Sequence, residues 1–209
     1  MNPKVLIVIP TLNGVEPECA ETVRNQTYSN YSVMTHFISQ PKVDPIKQRA
    51  QYSNGSTLNR QAARKLALAS DADYFWWLDD DVIPPADGLA RLILQRKPLL
   101  YGWYKMITGK AWVAACWAAE KLVHYRHPQP SVVSCDMAGL GCMLVSRKAL
   151  EKVDFQHGFD VQVYQADGQR ASLGPCGAYS RDCREAGFRP LIADVVCGHK
   201  NRRTGVIVG

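Results

Sequence analysis

Long apolar runs are missing from this 209-residue chain. The first, residues 5–9 (VLIVI), is far too short for a membrane span or for the apolar stretch of a secretory leader. A soluble, cytoplasmic protein without stable membrane insertion is expected. Paired-cysteine spacings are missing too. The seven cysteines are odd in number, contain no CxxC pair and show no metal-type spacing. Without a leader they read as free thiols of a reducing compartment, and the sequons at Asn25, Asn30 and Asn54 read as chance. No internal repeat, low-complexity tract or DNA- or RNA-binding motif occurs. The net charge of +6 is scattered, apart from residues 199–203 (HKNRR). It reads as solubility plus one local anion site, not as a nucleic-acid surface. A glycine-rich phosphate loop is also lacking, because residues 10–14 (PTLNG) hold a single glycine.

What is present suits a globular enzyme. Apolar residues make up 46% of the chain, enough at this length for a core without staples. Residues 5–9 read as a buried strand, 18–25 as a helix and 32–38 as a second strand, followed by an irregular stretch over 41–55. Ser56 is a candidate N-cap for a helix to about residue 70, with Leu58, Ala62, Leu66 and Ala69 on one face. Residues 74–78 form the next buried strand. Pro84 and Pro85 open a helix running to about residue 95. Residues 99–106 and 111–118 suggest a strand pair, and 131–134 and 141–146 two short strands, the second leading into a helix from Arg147. A turn-rich loop over 160–175, a helix over 178–187 ending at Gly187 and a last strand over 190–196 complete the pattern. The early alternation of strand and helix predicts one α/β domain, a mostly parallel sheet with helices on both faces. Ligands of such sheets bind beyond the carboxyl ends of the strands.

Three carboxylates, Asp79, Asp80 and Asp81, follow directly on the apolar strand YFWWL. Adjacent acids repel unless something positive lies among them. Alternation along a strand would turn Asp79 and Asp81 toward one target and Asp80 away. Paired carboxylates suit Mg²⁺ or Mn²⁺ beside a phosphate ligand. The competing reading is a solvated acidic loop.

Four ordered segments carry a resemblance: VLIVIPTLNG, NRQAARKLALASDADYFWWLDDDVIPP, AGLGCMLVSRKAL and REAGFRPLIADVVCGHK. Together they resemble the GT-A class of nucleotide-sugar glycosyltransferases (family 2-like), and within it the glycosyltransferase domains of large algal viruses. The resemblance implies a GT-A fold with a Rossmann-like nucleotide-binding half over about residues 1–100 and an acceptor-binding half over about 101–209.

It also implies roles. Pro10, Thr11 and Asn13 would cup the nucleoside, and Arg60 would sit near the uracil or pyrophosphate, with Arg64 as its competitor. Asp79 and Asp81 would be the ends of the DxD motif, with Asp80 as its variable middle beside the donor. Asp81 would bind the metal, Asp79 the metal or the ribose. His199 would be the third metal ligand, its imidazole favouring Mn²⁺ over Mg²⁺. Lys200 would reach the diphosphate, and Arg202 and Arg203 would order over the donor. The segment from Asp136 to Gly141 would face the sugar and acceptor. Trp103, Tyr104, Trp112 and Trp117 would bracket the acceptor, although tryptophan equally fills cores.

One departure bears on mechanism. Inverting relatives carry a Glu-Asp pair before the penultimate helix, whereas residues 174–178 (GPCGA) hold no carboxylate. Either Asp136, Asp160 or Asp167 supplies the base, or configuration is retained and the leaving diphosphate takes the proton; the balance favours retention. The implied reaction is transfer from a UDP-sugar, such as UDP-glucose or a UDP-deoxysugar, to a hydroxyl of a glycan or glycoprotein, with slow donor hydrolysis. The alternatives are a nucleotidyltransferase of similar fold and a non-catalytic sugar-binding relative.

Overall fold

A computed structural model describes residues 2–37, 48–106, 111–118, 121–156, 162–165, 170–172 and 174–209. The chain opens with β1 (Val5–Thr11), α1 (Pro17–Arg24), β2 (Tyr31–Phe37), α2 (Gln48–Leu68) and β3 (Tyr74–Leu78). Strand β1 pairs in parallel with both β2 and β3. Its apolar run splits by the two-residue period of a strand. Val5, Ile7 and Ile9 join Trp76 and Leu78 in one core layer. Leu6 and Val8 join Phe75 and Trp77 in the other. A strand with cores on both faces has no polar side, which is why YFWWL reads as continuously apolar.

The remaining elements are β4 (Val82–Ile83), α3 (Gly88–Leu94), β5 (Leu99–Trp103), β6 (Ala115–Ala118), β7 (Lys121–His124), β8 (Val133–Ser134), β9 (Cys142–Ser146), α4 (Arg147–Lys152), β10 (Gln162–Gln165), β11 (Arg170–Ser172), α5 (Pro175–Glu185), β12 (Leu191–Val196), β13 (Gly198–Lys200) and β14 (Ile207–Val208). Among the described residues the central sheet has seven strands, ordered β2-β1-β3-β9-β5-β12-β8. The sheet is mostly parallel: β2, β1, β3, β5 and β12 run one way, while β9 and β8 oppose them. Helices α2, α4 and α5 contribute Ala63, Ala67, Ala149, Leu150, Tyr179 and Cys183 to one core layer. Helices α1 and α3 contribute Cys19, Val23, Leu89, Leu92 and Ile93 to the other. All seven cysteines are free thiols, and Cys142 and Cys197 face each other at 3.7 Å inside the core. No helix among the described residues is long and apolar enough to cross a membrane.

Several local expectations are corrected. The α2 face toward the sheet is Thr57, Ala63 and Ala67, while Leu58, Ala62, Leu66 and Ala69 are exposed. Small side chains let the helix lie close to the sheet. Arg60 and Arg64 complete that face by burying their stems, Arg64 donating from Nε to the Leu150 carbonyl at 2.8 Å. Ser56 lies inside α2 and does not cap it. The asparagine and glycine before it cost at most about 1 kcal/mol each in a helix interior, too little to end a helix anchored downstream.

Helix α3 starts at Gly88, after Pro84 and Pro85. The Gln26 side chain fixes that start, donating to the Pro85 carbonyl and accepting from the Leu89 N–H, each at 2.9 Å. Residues 99–106 and 111–118 do not pair as strands. Strand β5 enters the central sheet, and β6 pairs with β7 in a separate four-stranded sheet, order β11-β10-β7-β6, leaving only a Lys105–Trp112 bridge. Within the expected loop over 160–175, the β-favouring Val163 and Tyr164 draw β10 into pairing with β7 and β11. Strand β12 is not the last, because β13 and β14 follow and join β4 in a three-stranded sheet.

Strand β5 is tightly enclosed at Gly102. A Cβ there would lie 2.6 Å from the Cys142 Sγ and 3.2 Å from the Val195 carbonyl oxygen. Gly102→Ala should therefore destabilise the fold by about 1–3 kcal/mol, read as a lower urea midpoint with unchanged slope.

Candidate functional site

The chain leaves the dry sheet at Leu78 and turns at once. The Val82 N–H returns to the Asp79 carbonyl at 3.1 Å, so the acidic triplet is a turn between β3 and β4, not a continued strand. Strand alternation therefore does not apply, and the three carboxylates go to three partners. Asp79 meets the Arg60 guanidinium of α2 at 2.6 Å. Asp80 accepts from the Thr11 hydroxyl at the end of β1 and meets Arg202 at 2.9 Å. Asp81 faces the His199 Nε2 at 3.5 Å.

Arg60 is the innermost cation. Burial works most strongly against its charge, and the surroundings, Asp79 foremost, together outweigh it, raising its pKa. Burial also raises the Asp80 pKa. Thr11 and Arg202 oppose that rise, and the charges of Asp81 and Asp79 add to it.

Asp81 and His199 meet because β4 and β13 pair. His199 lies opposite Val82, the residue after Asp81, and the Lys200 N–H donates to the Asp81 carbonyl at 2.9 Å. The His199 Nδ1 lies 2.7 Å from the Lys105 carbonyl oxygen. A carbonyl only accepts, so Nδ1 carries the proton. In the neutral ring Nε2 is then a bare lone pair facing a carboxylate, an arrangement that calls for a proton or a cation between them. Burial lowers the His199 pKa, but the hydrogen bonds to Asp81 and the Lys105 carbonyl and the charges of Asp81 and Asp79 outweigh it, giving a net rise. The Tyr104 ring packs edge-on against the imidazole at 5.4 Å. This donor set fits a divalent cation at two points, with the imidazole held by a carbonyl behind it, as metal-binding histidines are. Asp79 is not brought into the pair. Among the described residues no group of three His, Cys, Asp or Glu side chains is arranged to hold a metal.

Lys200 lies on Glu16 at 3.0 Å and Glu18 at 2.7 Å, and Arg202 on Glu16 at 3.2 Å and the Gly14 carbonyl at 3.0 Å. Glu16 and Glu18 were not singled out by sequence reasoning. Their signal is their place beside Pro17, directly after the loop that follows β1. Pro10 lies in β1 and Asn13 is exposed on that loop.

Gly139 and Gly141 close around the Tyr104 hydroxyl. The Gly141 N–H donates to it at 2.9 Å, and a Cβ on Gly141 would lie 2.7 Å from it and 2.8 Å from the Asp79 Oδ2. Burial, then the Asp79 charge, holds the Tyr104 phenol well above its ordinary pKa, so it stays neutral. Trp103 and Tyr104 are core residues. Trp117 belongs to β6. Asp136 pairs with Arg184 of α5 at 2.7 Å. Arg203 is exposed. Asp160 and Asp167 lie outside the described residues.

No protein-family model matches the chain, and no curated protein matches its sequence. Solved structures match its fold. A197 from STIV aligns over 98% of this chain and 93% of its own, at 15% identity and a TM-score of 0.62. GalNAc-T7, solved with UDP, GalNAc and Mn²⁺, aligns over 96% of this chain at 12% identity and a TM-score of 0.60. The fold is of the GT-A glycosyltransferase type. S. aureus TarS in complex with UDP aligns over 92% of the chain at 11% identity and a TM-score of 0.53. The chain spans 44% of GalNAc-T7 and 60% of that TarS structure. In this GT-A frame the acidic turn lies beyond the carboxyl end of β3, beside the end of β1.

Two outcomes are expected. Arg60→Ala strands Asp79 and should cost about 1–3 kcal/mol, with Asp79→Asn in the same chain recovering part of the loss in a double-mutant cycle. A group whose folded pKa is raised stabilises the fold below its unfolded pKa and loses that contribution as pH rises through the folded one. In chelator, the stability difference between the wild type and His199→Gln should therefore be largest near about pH 5. It should shrink as pH rises past about 6.5, the ordinary imidazole value; urea midpoints measured across that window test this.

Proposed function

We propose that the chain is a metal-dependent glycosyltransferase that moves a sugar from a nucleoside-diphosphate sugar, UDP-linked, to an acceptor hydroxyl of a glycan or glycoprotein. The observation that carries this is the Asp81–His199 pair, a carboxylate and a tethered imidazole lone pair converging at the ligand-binding end of a GT-A sheet. Support also comes from GalNAc-T7, solved with UDP, GalNAc and Mn²⁺, and TarS, solved with UDP.

In this reading Asp81 and His199 hold the cation, which when bound neutralises charge developing on the leaving diphosphate. Asp79 serves from behind, fixing Arg60, whose guanidinium adds to the positive field on the donor. Thr11, Pro10 and Asn13 flank the nucleoside, and Asp80 orients Thr11 through their hydrogen bond. Lys200 and Arg202 hold the loop after β1 through Glu16 and Glu18, and turn to the diphosphate when it enters. Gly139 and Gly141 bring backbone against the sugar, with the Tyr104 hydroxyl fixing the Gly141 N–H. Residues 1–100 hold the nucleotide and 101–209 the acceptor. With Asp136 facing Arg184 and no carboxylate in residues 174–178, we assign retention of configuration, the acceptor proton passing to the departing diphosphate oxygen.

The test is a calorimetric titration of UDP into the whole chain, with Mn²⁺ and with chelator, for the wild type and Asp81→Ala. Affinity should depend on the metal and fall at least about tenfold in the variant. UDP binding indifferent to both changes would sink the assignment of the acidic turn. Incubation with UDP-sugar and Mn²⁺ should release free sugar and UDP; release of sugar 1-phosphate would point to nucleotidyl chemistry instead.

A further inference from the structure

Most arginines and lysines around the acidic turn are matched by carboxylates. One cleft is different. It holds about 450 Å³ and is walled by Lys105, Trp112, His124, Tyr125, Arg126 and His127, with no aspartate or glutamate among the described residues of the wall. Among the described residues neither Lys105 nor Arg126 pairs with a carboxylate within 4.0 Å.

The wall is built, not accidental. The Lys105 ammonium stands over the Trp112 ring, 5.2 Å from its centroid. The His124 Nδ1 lies 2.8 Å from the Trp112 carbonyl oxygen, so Nδ1 carries a proton and the ring is held in one orientation. The Tyr125 hydroxyl donates to the Ser134 carbonyl at 2.8 Å. Tyr125 is thereby fixed through its polar tip, with its ring edge-on to Trp103 at 5.3 Å. Trp112 is buried under Lys105 and edge-on to Trp103, so it is a rigid floor and not an open stacking face; two cations and two imidazoles suit anionic groups on a sugar. The cleft also adjoins the acidic centre through one residue. The Lys105 carbonyl holds His199, and its ammonium faces the cleft.

The geometry points to this cleft as the acceptor subsite, built for an anionic glycan whose sugars carry carboxylate or phosphate groups. This rests on the glycosyl-transfer reading above and adds the chemical class of its acceptor.

The experiment reads acceptor binding without nucleotide or metal, so it stands apart from the UDP titration. Three oligosaccharides of equal length, one of uronic acids, one phosphorylated and one neutral malto-oligosaccharide, are titrated into the whole chain by calorimetry at low and high salt. At least one anionic oligosaccharide should bind, at least about tenfold more tightly than the neutral one, and added salt should weaken it. Which of the two binds separates carboxylate from phosphate recognition. Arg126→Glu, at an exposed position, should lose about tenfold or more while unfolding at the wild-type temperature, and Lys105→Ala, which keeps the carbonyl, should lose further. Equal binding of the neutral sugar, or an Arg126→Glu variant that binds as the wild type does, would overturn the proposal. So would tighter binding of a single-stranded oligonucleotide of the same charge through the same two residues, which would assign the cleft to nucleic acid.

Discussion

Everything at the ligand-binding end of this protein answers to one electrostatic constraint. Three carboxylates emerge side by side from a strand buried on both faces, where little water screens them. Charges this close, in a medium less polarisable than water, repel by several kcal/mol in total at an effective dielectric of about 20. The fold answers by bringing a different element to each: α2 supplies Arg60 to Asp79, the turn after β13 supplies Arg202 to Asp80, and β13 supplies His199 to Asp81. The three contacts differ in kind. The first is short, a full ion pair at 2.6 Å. The second is shared with Thr11, Glu16 and the Gly14 carbonyl. The third is long and lacks positive charge whenever the imidazole is neutral. The site is thus graded from a closed pair to an incomplete one, and the incomplete one is where a cation has something to gain.

The same grading separates support from chemistry. Tyr104 touches both ends of it, its hydroxyl taking the Gly141 N–H and its ring lying against His199. Because burial keeps that phenol neutral, it adds position and no charge. Glu16 and Glu18 hold Lys200 and Arg202 beside the acidic turn, and Arg202 also meets Asp80. An arriving diphosphate would compete with those glutamates for partners already in place, so less side-chain freedom is lost on binding than if the cations started in solvent.

Much of this was legible in the chain itself. The runs VLIVI and YFWWL can only be strands dry on both faces, and their alternation with helices gives the sheet and its ligand-binding end. The acidic triplet stands out as charge directly beside an apolar strand, whereas Arg60 and His199 were singled out by the resemblance to GT-A enzymes. The pairing among them was not legible. Asp79 and Asp81 share a target only if the strand continues, and whether it continues depends on the turn closing at Val82 and on β13 arriving from more than a hundred residues away. The α2 face was misread because leucine outranks threonine and alanine in hydrophobicity, whereas what decides that face is how near the helix lies to the sheet. The signal of Glu16 and Glu18, a place beside Pro17 after the β1 loop, is weak, since an acidic residue beside a proline after a strand looks like any helix start.

The Lys200–Glu18 and Arg202–Gly14 contacts join residues 182 and 188 positions apart. Local contacts form early and distant closures late, because the ends of so long a loop meet rarely. Strands β1, β3, β9 and β5 pair with one another, and none of these pairings involves residues 199–209. As the chain leaves the ribosome, a compact body can therefore gather while Asp80, Asp81, Glu16 and Glu18 still crowd together without the cations that quiet them. His199, Lys200 and Arg202 lie within four residues of one another and arrive together on β13 and the turn after it. Until β13 pairs with β4, Asp80, Asp81, Glu16 and Glu18 form a concentrated anionic rim, and one distant closure quiets it.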